Sequence, residues 1–326
     1  MGAILVTGGA GYVGSHIVRV LTERGQDVAV VDDLSEGYRA AIGEVRLIES
    51  DFSNETMLDE ELGSGDVEFL VHMAASCEVG ESMENPAKYY ANNLTASLRL
   101  LEAARRHGVR GIVFSSTAAV YGEPLKTPIT EEHPQLPTNA YGETKLAFER
   151  ALAWYHQAYG VRYVALRYFN AAGAHPDASI GEDHRPESHI VPRLLRGVIE
   201  GQEPIPIFGN DWPTPDGTCV RDYVHVVDLA QAHVLAIEAM RSGDAEAEAF
   251  NLGNGEGFSV LEVIDAVGKV TGQRPATVDA PRRAGDPATL VASSDRIRQR
   301  LGWNPEFPAL EEIVSTAWEW HRTHPD

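Results

Sequence analysis

Short apolar runs alternate with amphipathic segments through the first half of the chain. Runs of mainly apolar residues at 3–6, 28–31, 45–48, 67–73, 111–116 and 163–166 have the length of buried strands. Between them apolar residues recur at helical spacing; in 86–107, Tyr89, Leu94, Leu98 and Leu101 predict one helix that ends before Gly108. Strands alternating with helices are typical of an α/β fold with a parallel sheet covered by helices on both faces.

A glycine-rich turn joins the first strand to the first helix. It contains Gly8, Gly11 and Gly14, and so tight a turn needs residues without a Cβ if backbone N–H groups are to approach a pyrophosphate. Asp32 ends the second strand about twenty residues further on. A carboxylate there accepts hydrogen bonds from a ribose diol and repels a 2′-phosphate. The pattern predicts a Rossmann-type, doubly wound sheet that binds NAD rather than NADP; the alternatives are an ordinary tight turn and a loop-capping Asp32.

The predicted contacts with NAD lie after the carboxyl ends of the strands, where a doubly wound sheet has its ligand crevice. They are Gly8, Gly11, Tyr12, Val13 and Gly14 in the first turn, Asp32, Asp33, Leu34, Ser35 and Gly37 after the second strand, Asp51 and Phe52 after the third, and Met73, Ala74 and Ala75 after the fourth. Phe52 and Met73 are assigned by position alone, since either could equally be a core residue.

A tyrosine and a lysine four residues apart begin the helix that follows the fifth strand. Tyr141 and Lys145 project from one face of that helix. A neighbouring ammonium, together with the positive nicotinamide of NAD, favours the phenolate form of a tyrosine. Thr117, at the hydroxyl-rich end of the fifth strand, could pass a hydrogen bond between the phenol and a substrate hydroxyl. Such a pair alone is usually a surface feature, but after a dinucleotide-binding turn it predicts a catalytic site made of Tyr141, Lys145 and Thr117.

Beyond residue 169 the strand and helix patterns become shorter and prolines more frequent, which predicts a second, smaller domain. We therefore expect a NAD-binding Rossmann domain at 1–169 and a substrate-binding domain at 170–326. A helical pattern at 226–240 and an apolar run at 250–252 suggest that about 226–252 returns to pack on the NAD-binding domain.

Charge and composition narrow the choice of partners. The 326-residue chain has a formal net charge of -21 and 43% hydrophobic residues, which argues against nucleic acid and anionic membranes as partners. No apolar run is long enough to span a bilayer, and the chain starts directly on its first strand, so we expect a cytoplasmic location. The two cysteines, Cys77 and Cys219, lie far apart in sequence and indicate neither a disulfide framework nor a zinc site.

The histidines of the second half lack the spacing typical of metal ligands. Those at 175, 184, 189, 225 and 233 have no histidine partner four residues away with an intervening glutamate, and no cysteine cluster accompanies them. We therefore predict loop and core histidines and no metal site.

The motifs together resemble those of a known family. The glycine turn, the hydroxyls at 115–117, Tyr141 with Lys145, and the segments 72–82, 167–176, 207–211, 220–225 and 282–286 are similar to those of the extended short-chain dehydrogenase/reductases. Within that family the chain resembles the UDP-glucose 4-epimerases nearly end to end. The resemblance implies a homodimer with tightly bound NAD that oxidises C4 of a UDP-sugar to a 4-keto intermediate and reduces it again on the opposite face.

The resemblance also implies roles for individual residues. Further NAD contacts would be Cys77, Asn92, Ser115, Tyr141, Lys145, Tyr168 and Phe169, and UDP-sugar contacts would be Thr117, Asn170, His189, Ile190, Pro206, Phe208, Arg221, Tyr223, Arg283, Asp286 and Leu290. Two positions depart from the family pattern. Cys77 stands where some members have a lysine near the nicotinamide ribose, and Leu290 stands where a tyrosine can close the sugar pocket. A smaller residue at 290 leads to the hypothesis that N-acetylated UDP-hexosamines are also accepted.

Three other functions compete with C4 epimerisation. A nucleotide-sugar 4,6-dehydratase would need an Asp-Glu pair directly after Thr117, where this chain has Ala118 and Ala119. A UDP-glucuronate 4-epimerase or another nucleotide-sugar enzyme of the same family stays open, because one extra side chain near C6 would suffice. A non-catalytic NAD sensor would have no need to keep Thr117, Tyr141 and Lys145 together.

Overall fold

A parallel sheet of seven strands organises the first part of the protein, which is represented by a computed structural model that describes residues 2–201, 203–283 and 286–324. The strands are β1 (Ala3–Thr7), β2 (Val28–Asp32), β3 (Arg46–Glu49), β4 (Val67–His72), β5 (Gly111–Thr117), β6 (Arg162–Tyr168) and β11 (Ala247–Leu252). Their order across the sheet is β11-β6-β5-β4-β1-β2-β3, and every pair is parallel. The predicted α/β, doubly wound Rossmann sheet is confirmed.

Helices cover both faces of this sheet because its strands bury alternate side chains on opposite sides. On one face α1 (Tyr12–Glu23), α8 (Val226–Ser242) and α10 (Asp295–Leu301) pack over Ile4 and Val6. On the other face α2 (Glu55–Gly63), α5 (Ser97–Arg106) and α6 (Ala140–Tyr159) pack over Leu5. Shorter segments are the helices α3 (Val79–Glu84) and α4 (Pro86–Tyr89) and the 3₁₀ turns Arg39–Ile42 and Ala118–Tyr121.

The segment 86–107 differs from its prediction as one regular α-helix. Between α4 and α5 the chain forms a π-helical segment, Tyr90–Ala96. Asn93 within it is buried and reaches inward, where its Nδ2 donates to the carbonyl oxygen of Ser76 at 2.9 Å and its Oδ1 accepts from the Ser76 N–H at 2.9 Å. These hydrogen bonds give a physical reason for the wider π-helical turn. The turn directs the Asn93 side chain toward Ser76, so that Asn93 holds the loop after β4 in place.

A smaller unit lies beyond the sheet. It contains the strand pair β7 (Asn170–Ala172) with β10 (Tyr223–His225), the pair β8 (Ile205–Phe208) with β13 (Thr277–Ala280), and the three strands β12 (Phe258–Ser259), β9 (Val220–Arg221) and β14 (Thr289–Leu290). The helices α7 (Ile190–Glu200), α9 (Val260–Thr271) and α11 (Leu310–Thr323) pack around a second core with Leu194, Val263 and Ile313 at its centre.

Parts of the second half pack with the sheet. Helix α8 packs against α1, and β11 pairs with β6 at the sheet edge. The segment 295–303, which the sequence-based division left in the second domain, also lies in the core beside α8, where the Trp303 indole donates to the carbonyl oxygen of Asp228 at 2.9 Å. The division at residue 169 stays a prediction. No helix in the described ranges is both long and apolar enough to cross a bilayer.

Candidate active site

The glycine turn between β1 and α1 lies at the carboxyl edge of the sheet. Gly8 has a φ of +69°, and a Cβ there would lie 2.6 Å from the backbone nitrogen of Ala74. A Cβ at Gly14 would lie 2.1 Å from the carbonyl oxygen of Gly8. Gly11 precedes α1, and no side chain among the described residues caps that helix. The turn, which also contains Tyr12 and Val13, therefore offers uncapped N–H groups to an anion, and it fits the pyrophosphate of NAD.

Asp32 ends β2 directly beside this turn. Its Oδ2 accepts a hydrogen bond from the Ala10 N–H at 2.9 Å, and its Oδ1 accepts one from the Leu34 N–H at 2.9 Å. Burial raises the pKa of Asp32, while these two N–H groups lower it. The carboxylate thus holds the glycine turn against the next loop and keeps lone pairs for a ribose diol. That loop also contains Asp33, Ser35 and Gly37.

The ends of β3 and β4 continue the same edge. The N–H groups of Met73 and Ala74 donate to the carbonyl oxygen of Thr7 at 3.0 and 3.1 Å, so the segment 73–75 lies beside the turn. Phe52 is 8% exposed, and its ring centroid lies 5.1 Å from that of His72. Of the two residues assigned by position, Met73 stays half-buried at the edge, whereas the Phe52 side chain belongs to the core. Asp51 is exposed and Ala75 half-buried at this edge.

Tyr141 and Lys145 lie near the start of α6, facing the carboxyl end of β5. The Asn139 side chain caps the helix at that start. Lys145 Nζ donates to the carbonyl oxygen of Ser115 at 2.8 Å and lies 5.9 Å from the centroid of the Tyr141 ring. Thr117, the last residue of β5, lies close enough to the Tyr141 phenol to lower its pKa by hydrogen bonding. The structure thus brings the three predicted catalytic residues together.

Burial dominates the acid–base properties of this site in the protein alone. It raises the pKa of Tyr141 strongly, and Cys77 and Tyr168 add smaller increases. It lowers the pKa of Lys145 to about 8. In the protein alone, burial outweighs the hydrogen bond from Thr117 and favours the neutral phenol. The phenolate expected from Lys145 and nicotinamide acting together stays a prediction. The phenolate needs further positive charge, which a bound nicotinamide would bring.

The other predicted cofactor contacts surround this pair. Ser115 Oγ and Tyr168 OH share a hydrogen bond, which ties β5 to β6 next to Lys145. Asn92 Nδ2 donates to Ser76 Oγ at 3.3 Å. Cys77 is an exposed free thiol. Whether it replaces a lysine contact with the nicotinamide ribose stays a prediction.

Phe169 and Leu290 lie on the apolar side of the site. Both are half-buried and pack against the cluster formed by Val120, Tyr121, Ile129 and Leu146. Two residues of this cluster, Val120 and Tyr121, come directly after β5, which ends at Thr117. The contact with this cluster therefore brings Leu290 close to Thr117, although the two residues are far apart in sequence. That placement supports its predicted position beside the sugar.

Polar residues of the small strands face the same region. Asn170 and Tyr223 are partners in the β7–β10 pair. Arg221 Nη1 donates to the carbonyl oxygen of Pro287 at 2.9 Å, and its Nη2 lies 3.9 Å from Asp286 Oδ1. A cation and a carboxylate are thus placed where one ligand with a diphosphate and a ribose could contact both.

The β8 strand carries the two residues predicted to hold uracil. Pro206 and Phe208 are two residues apart, so they share one face of the strand, and both are half-buried. The guanidinium of Arg283 lies 3.9 Å from the centroid of the Phe208 ring, a cation–π contact. Ala284 and Gly285, which complete the motif 282–286, lie outside the described residues.

His189 and Ile190, two of the predicted UDP-sugar contacts, stand at the N-terminus of α7, where His189 is the N-cap residue and Ile190 the first residue of the helix. His189 Nδ1 lies 2.9 Å from Glu182 Oε1 and 3.2 Å from Glu187 Oε1. Burial opposes a charge on His184, but Glu182 and Glu187 outweigh it and raise the pKa of His184 to about 9. These side chains were not predicted to lie together, although the spacing Glu-x-His-x-x-Glu-x-His from 182 to 189 was an available signal.

A buried ion pair behind β5 was also missed. Arg167 on β6 donates to Glu149 on α6 through Nε at 3.0 Å and through Nη2 at 2.5 Å. Ser116 Oγ donates to the same carboxylate, and Arg167 Nη1 donates to Tyr121 OH at 2.9 Å. This network joins α6, β5 and β6, the three elements that carry Lys145, Thr117 and Tyr168.

The whole arrangement has counterparts among known proteins. The model of the NAD dependent epimerase/dehydratase family matches residues 4–253. The chain belongs to this family. A UDP-glucose 4-epimerase of Halalkalibacterium halodurans is 50% identical over 323 residues, which cover 99% of this chain and 96% of that protein. Family membership confirms an NAD-dependent enzyme of the epimerase/dehydratase type, as the motifs indicated.

Two solved structures of the family share the fold over nearly their full length. The UDP-glucose 4-epimerase of Brucella ovis, in complex with NAD, has a TM-score of 0.94 at 42% identity and covers 98% of each chain. The UDP-glucose 4-epimerase of Bifidobacterium longum, in complex with NAD+ and UDP, has a TM-score of 0.94 at 36% identity and covers 99% of each chain. The Rossmann fold and the NAD cofactor expected from the sequence are confirmed.

Proposed function

We propose that the protein interconverts UDP-galactose and UDP-glucose by inverting C4 of the sugar. The observation that carries this proposal is the assembly of Tyr141, Lys145 and Thr117 at the end of β5, with Lys145 anchored on the Ser115 carbonyl. Its position beside a turn that fits a pyrophosphate supports proton transfer next to the proposed cofactor site. The relatives named above support C4 epimerisation as the reaction.

The chain's own residues manage the proton at the sugar 4-hydroxyl. When bound, NAD would accept the C4 hydride and later return it, so that the sugar is oxidised to a 4-keto form and reduced again, with no net redox change over the whole cycle. Tyr141 takes the 4-hydroxyl proton as its phenolate and returns it at the end. Thr117 aligns that hydroxyl with the phenol, and Lys145 holds a positive charge beside it. Because Lys145 and Thr117 are buried and Tyr141 is half-buried, electrostatic interactions among them are stronger than in water.

The nucleotide half of the substrate is proposed to be held by the smaller unit. Arg221 and Arg283 would neutralise the diphosphate, which a chain of net charge -21 would otherwise repel. Asp286 would bind the uridine ribose. The other proposed contacts are Asn170, His189, Ile190, Pro206, Phe208, Tyr223 and Leu290. Such remote binding lets the keto sugar present its other face without leaving the site.

We further propose a homodimer in the cytoplasm, as the family resemblance implies. Exposed aromatic residues support a partner on one side of the protein: Tyr90 is 42% exposed on the π-helical segment, and Trp154 is 68% exposed on the adjacent α6. Light scattering coupled to size-exclusion chromatography tests the dimer, and a monomer at micromolar concentration would contradict it.

The test of the reaction is to incubate purified protein with UDP-galactose and no added NAD and to follow UDP-glucose by chromatography. We expect conversion, and we expect Tyr141→Phe to lower kcat by about 10²- to 10⁴-fold while it keeps the bound NAD. Tyr155→Phe on the same helix is the matched control, because its hydroxyl contacts Glu102 instead of the site. Absence of conversion even with added NAD, together with turnover of UDP-glucuronate, would replace this substrate assignment.

A further inference from the structure

Two carboxylates and two imidazoles converge between β7 and α7. The 182–189 cluster consists of Glu182, His184, Glu187 and His189, and each residue offers one ligand atom within 4.8 Å of all the others. Three of the residues lie in the loop before α7, and the fourth is the residue that begins the helix. We propose that the 182–189 cluster binds one divalent metal ion of the zinc type.

Four distances across the cluster lie close to the edge length of a coordination tetrahedron. Glu182 Oε1 lies 2.9 Å from His189 Nδ1 and 3.3 Å from His184 Nδ1. Glu187 Oε2 lies 3.7 Å from His184 Nδ1, and Glu187 Oε1 lies 3.2 Å from His189 Nδ1. Ligands about 2.0–2.1 Å from a tetrahedral zinc ion are separated by about 3.3–3.4 Å. An ion at the centre would therefore reach all four side chains with only small adjustments.

Unpartnered atoms inside the cluster give an independent reason to expect a ligand. Glu182 Oε1, His184 Nδ1 and Glu187 Oε2 are buried and make no hydrogen bond with any described residue. The Glu182 and Glu187 side chains are each 4% exposed. Buried polar atoms almost always have a partner, because leaving one unpaired costs free energy. A metal ion would satisfy all three atoms at once.

The rival arrangement is a set of ion pairs between protonated imidazoles and carboxylates. Such pairs would direct an N–H from His184 at an oxygen of Glu182 or Glu187. One such pair is present, because His189 Nδ1 and Glu187 Oε1 share a hydrogen bond at 3.2 Å. His184 Nδ1 lies near both carboxylates as well, but it lacks hydrogen-bond geometry to either of them. Atoms that lie close together without pointing at one another are expected where each points toward a shared ion.

The donor set selects the kind of metal. Two imidazole nitrogens and two carboxylate oxygens suit zinc, whereas magnesium and calcium prefer six or more oxygen ligands. Four protein ligands leave no open position, which is typical of structural rather than catalytic zinc. The proposal therefore adds no step to the reaction, and it holds whether or not the protein is a UDP-hexose epimerase.

The surroundings indicate what such an ion would stabilise. The His184 ring meets the Tyr12 ring edge-on at 6.2 Å, and Tyr12 OH donates to the carbonyl oxygen of Gly173 at 2.6 Å. Tyr12 belongs to the glycine turn, while His189 begins α7. A metal ion here would hold the start of α7 in place against the nucleotide-binding turn.

The experiment measures metal binding directly. Tag-free protein is dialysed against a chelator, titrated with Zn²⁺ by calorimetry, and analysed for metal content by mass spectrometry. We expect one zinc per chain, with loss of that zinc in His184→Ala and in Glu187→Gln. His107→Ala is the matched control, because His107 pairs with the single exposed carboxylate of Asp59 at 2.8 Å and should keep the full zinc content.

Cobalt provides a second readout that needs no variant. Co²⁺ bound by four ligands in a tetrahedron absorbs visible light intensely, so the wild-type protein should turn blue as one equivalent is added, and excess zinc should remove the colour. The proposal is overturned if the dialysed protein takes up no zinc, or if bound Co²⁺ gives only the pale spectrum of a six-coordinate ion. It is also overturned if both cluster variants bind zinc as the wild type does, because that result would indicate an adventitious ion only.

Discussion

The ion pair behind the catalytic strand allows a quantitative test of what holds the site in position. The Arg167 and Glu149 side chains are 4% and 7% exposed, so each charge has lost most of its water and depends on the other. Arg167→Met leaves the Glu149 carboxylate buried without its cation. We expect this to lower the free energy of unfolding by about 3–5 kcal/mol, the cost typical of breaking a buried pair from one side. That is about a 10²- to 10⁴-fold change in the folding equilibrium.

The assay is urea unfolding followed by tryptophan fluorescence at saturating NAD, with a double-mutant cycle as its core. Glu149→Met combined with Arg167→Met should be more stable than the sum of the single losses predicts, because an apolar pair replaces two charges at once. Arg46→Met is the matched control. This substitution removes two hydrogen bonds with Glu61 on the surface, where the Arg46 side chain is 63% exposed. It should lower the free energy of unfolding by at most about 1 kcal/mol.

Two outcomes would refute this reasoning. A loss for Arg167→Met no larger than for Arg46→Met would mean that the buried pair is not a strong structural contact. Strict additivity in the cycle would mean that Arg167 and Glu149 act separately, for example through Tyr121 and Ser116, with which they also share hydrogen bonds.

Two further predictions concern the site itself. Burial lowers the pKa of Lys145 from 10.5 to about 8, so the unfolded chain binds more protons than the folded chain between those pH values. As pH rises through that window, the wild type should gain up to about 3 kcal/mol of stability relative to Lys145→Met. A stability difference in urea unfolding that stays flat from pH 8 to 10 would contradict this. Leu290→Tyr should lower kcat/KM for UDP-N-acetylglucosamine by at least about tenfold while UDP-galactose turnover changes little, because the added ring fills space beside the sugar. Undetectable UDP-N-acetylglucosamine turnover by the wild type would contradict the hypothesis that N-acetylated UDP-hexosamines are accepted.

The parts of the site that the sequence predicted are those set by neighbouring residues. Gly8 and Gly14 are required by one turn, and Asp32 follows at a fixed distance because a single helix and strand intervene. Tyr141 and Lys145 are brought together by one helical turn. Each of these groupings depends on local geometry that the residue types determine.

The parts that the sequence did not predict depend on how distant segments meet. The side-chain partners of Arg167 lie on helix α6 and in the 3₁₀ turn after β5. The π-helical segment follows from hydrogen bonds between Asn93 and Ser76. The 182–189 cluster is short in sequence but irregular in backbone, so helical spacing rules for metal ligands did not reveal it. The pKa of Tyr141 depends on burial, which a local motif does not report.

The repeated passage of the chain between its two units has an evolutionary consequence. Strand β6 leads into β7 through Phe169 alone, β10 continues directly into α8, and the segment 295–303 returns to the sheet once more before α11. A recombination event that exchanged everything after residue 169 would therefore also remove a sheet strand and two covering helices from the nucleotide-binding unit. We expect relatives of this architecture to have acquired new sugar specificities through point substitutions and loop changes, such as the one at Leu290, and not through exchange of a module.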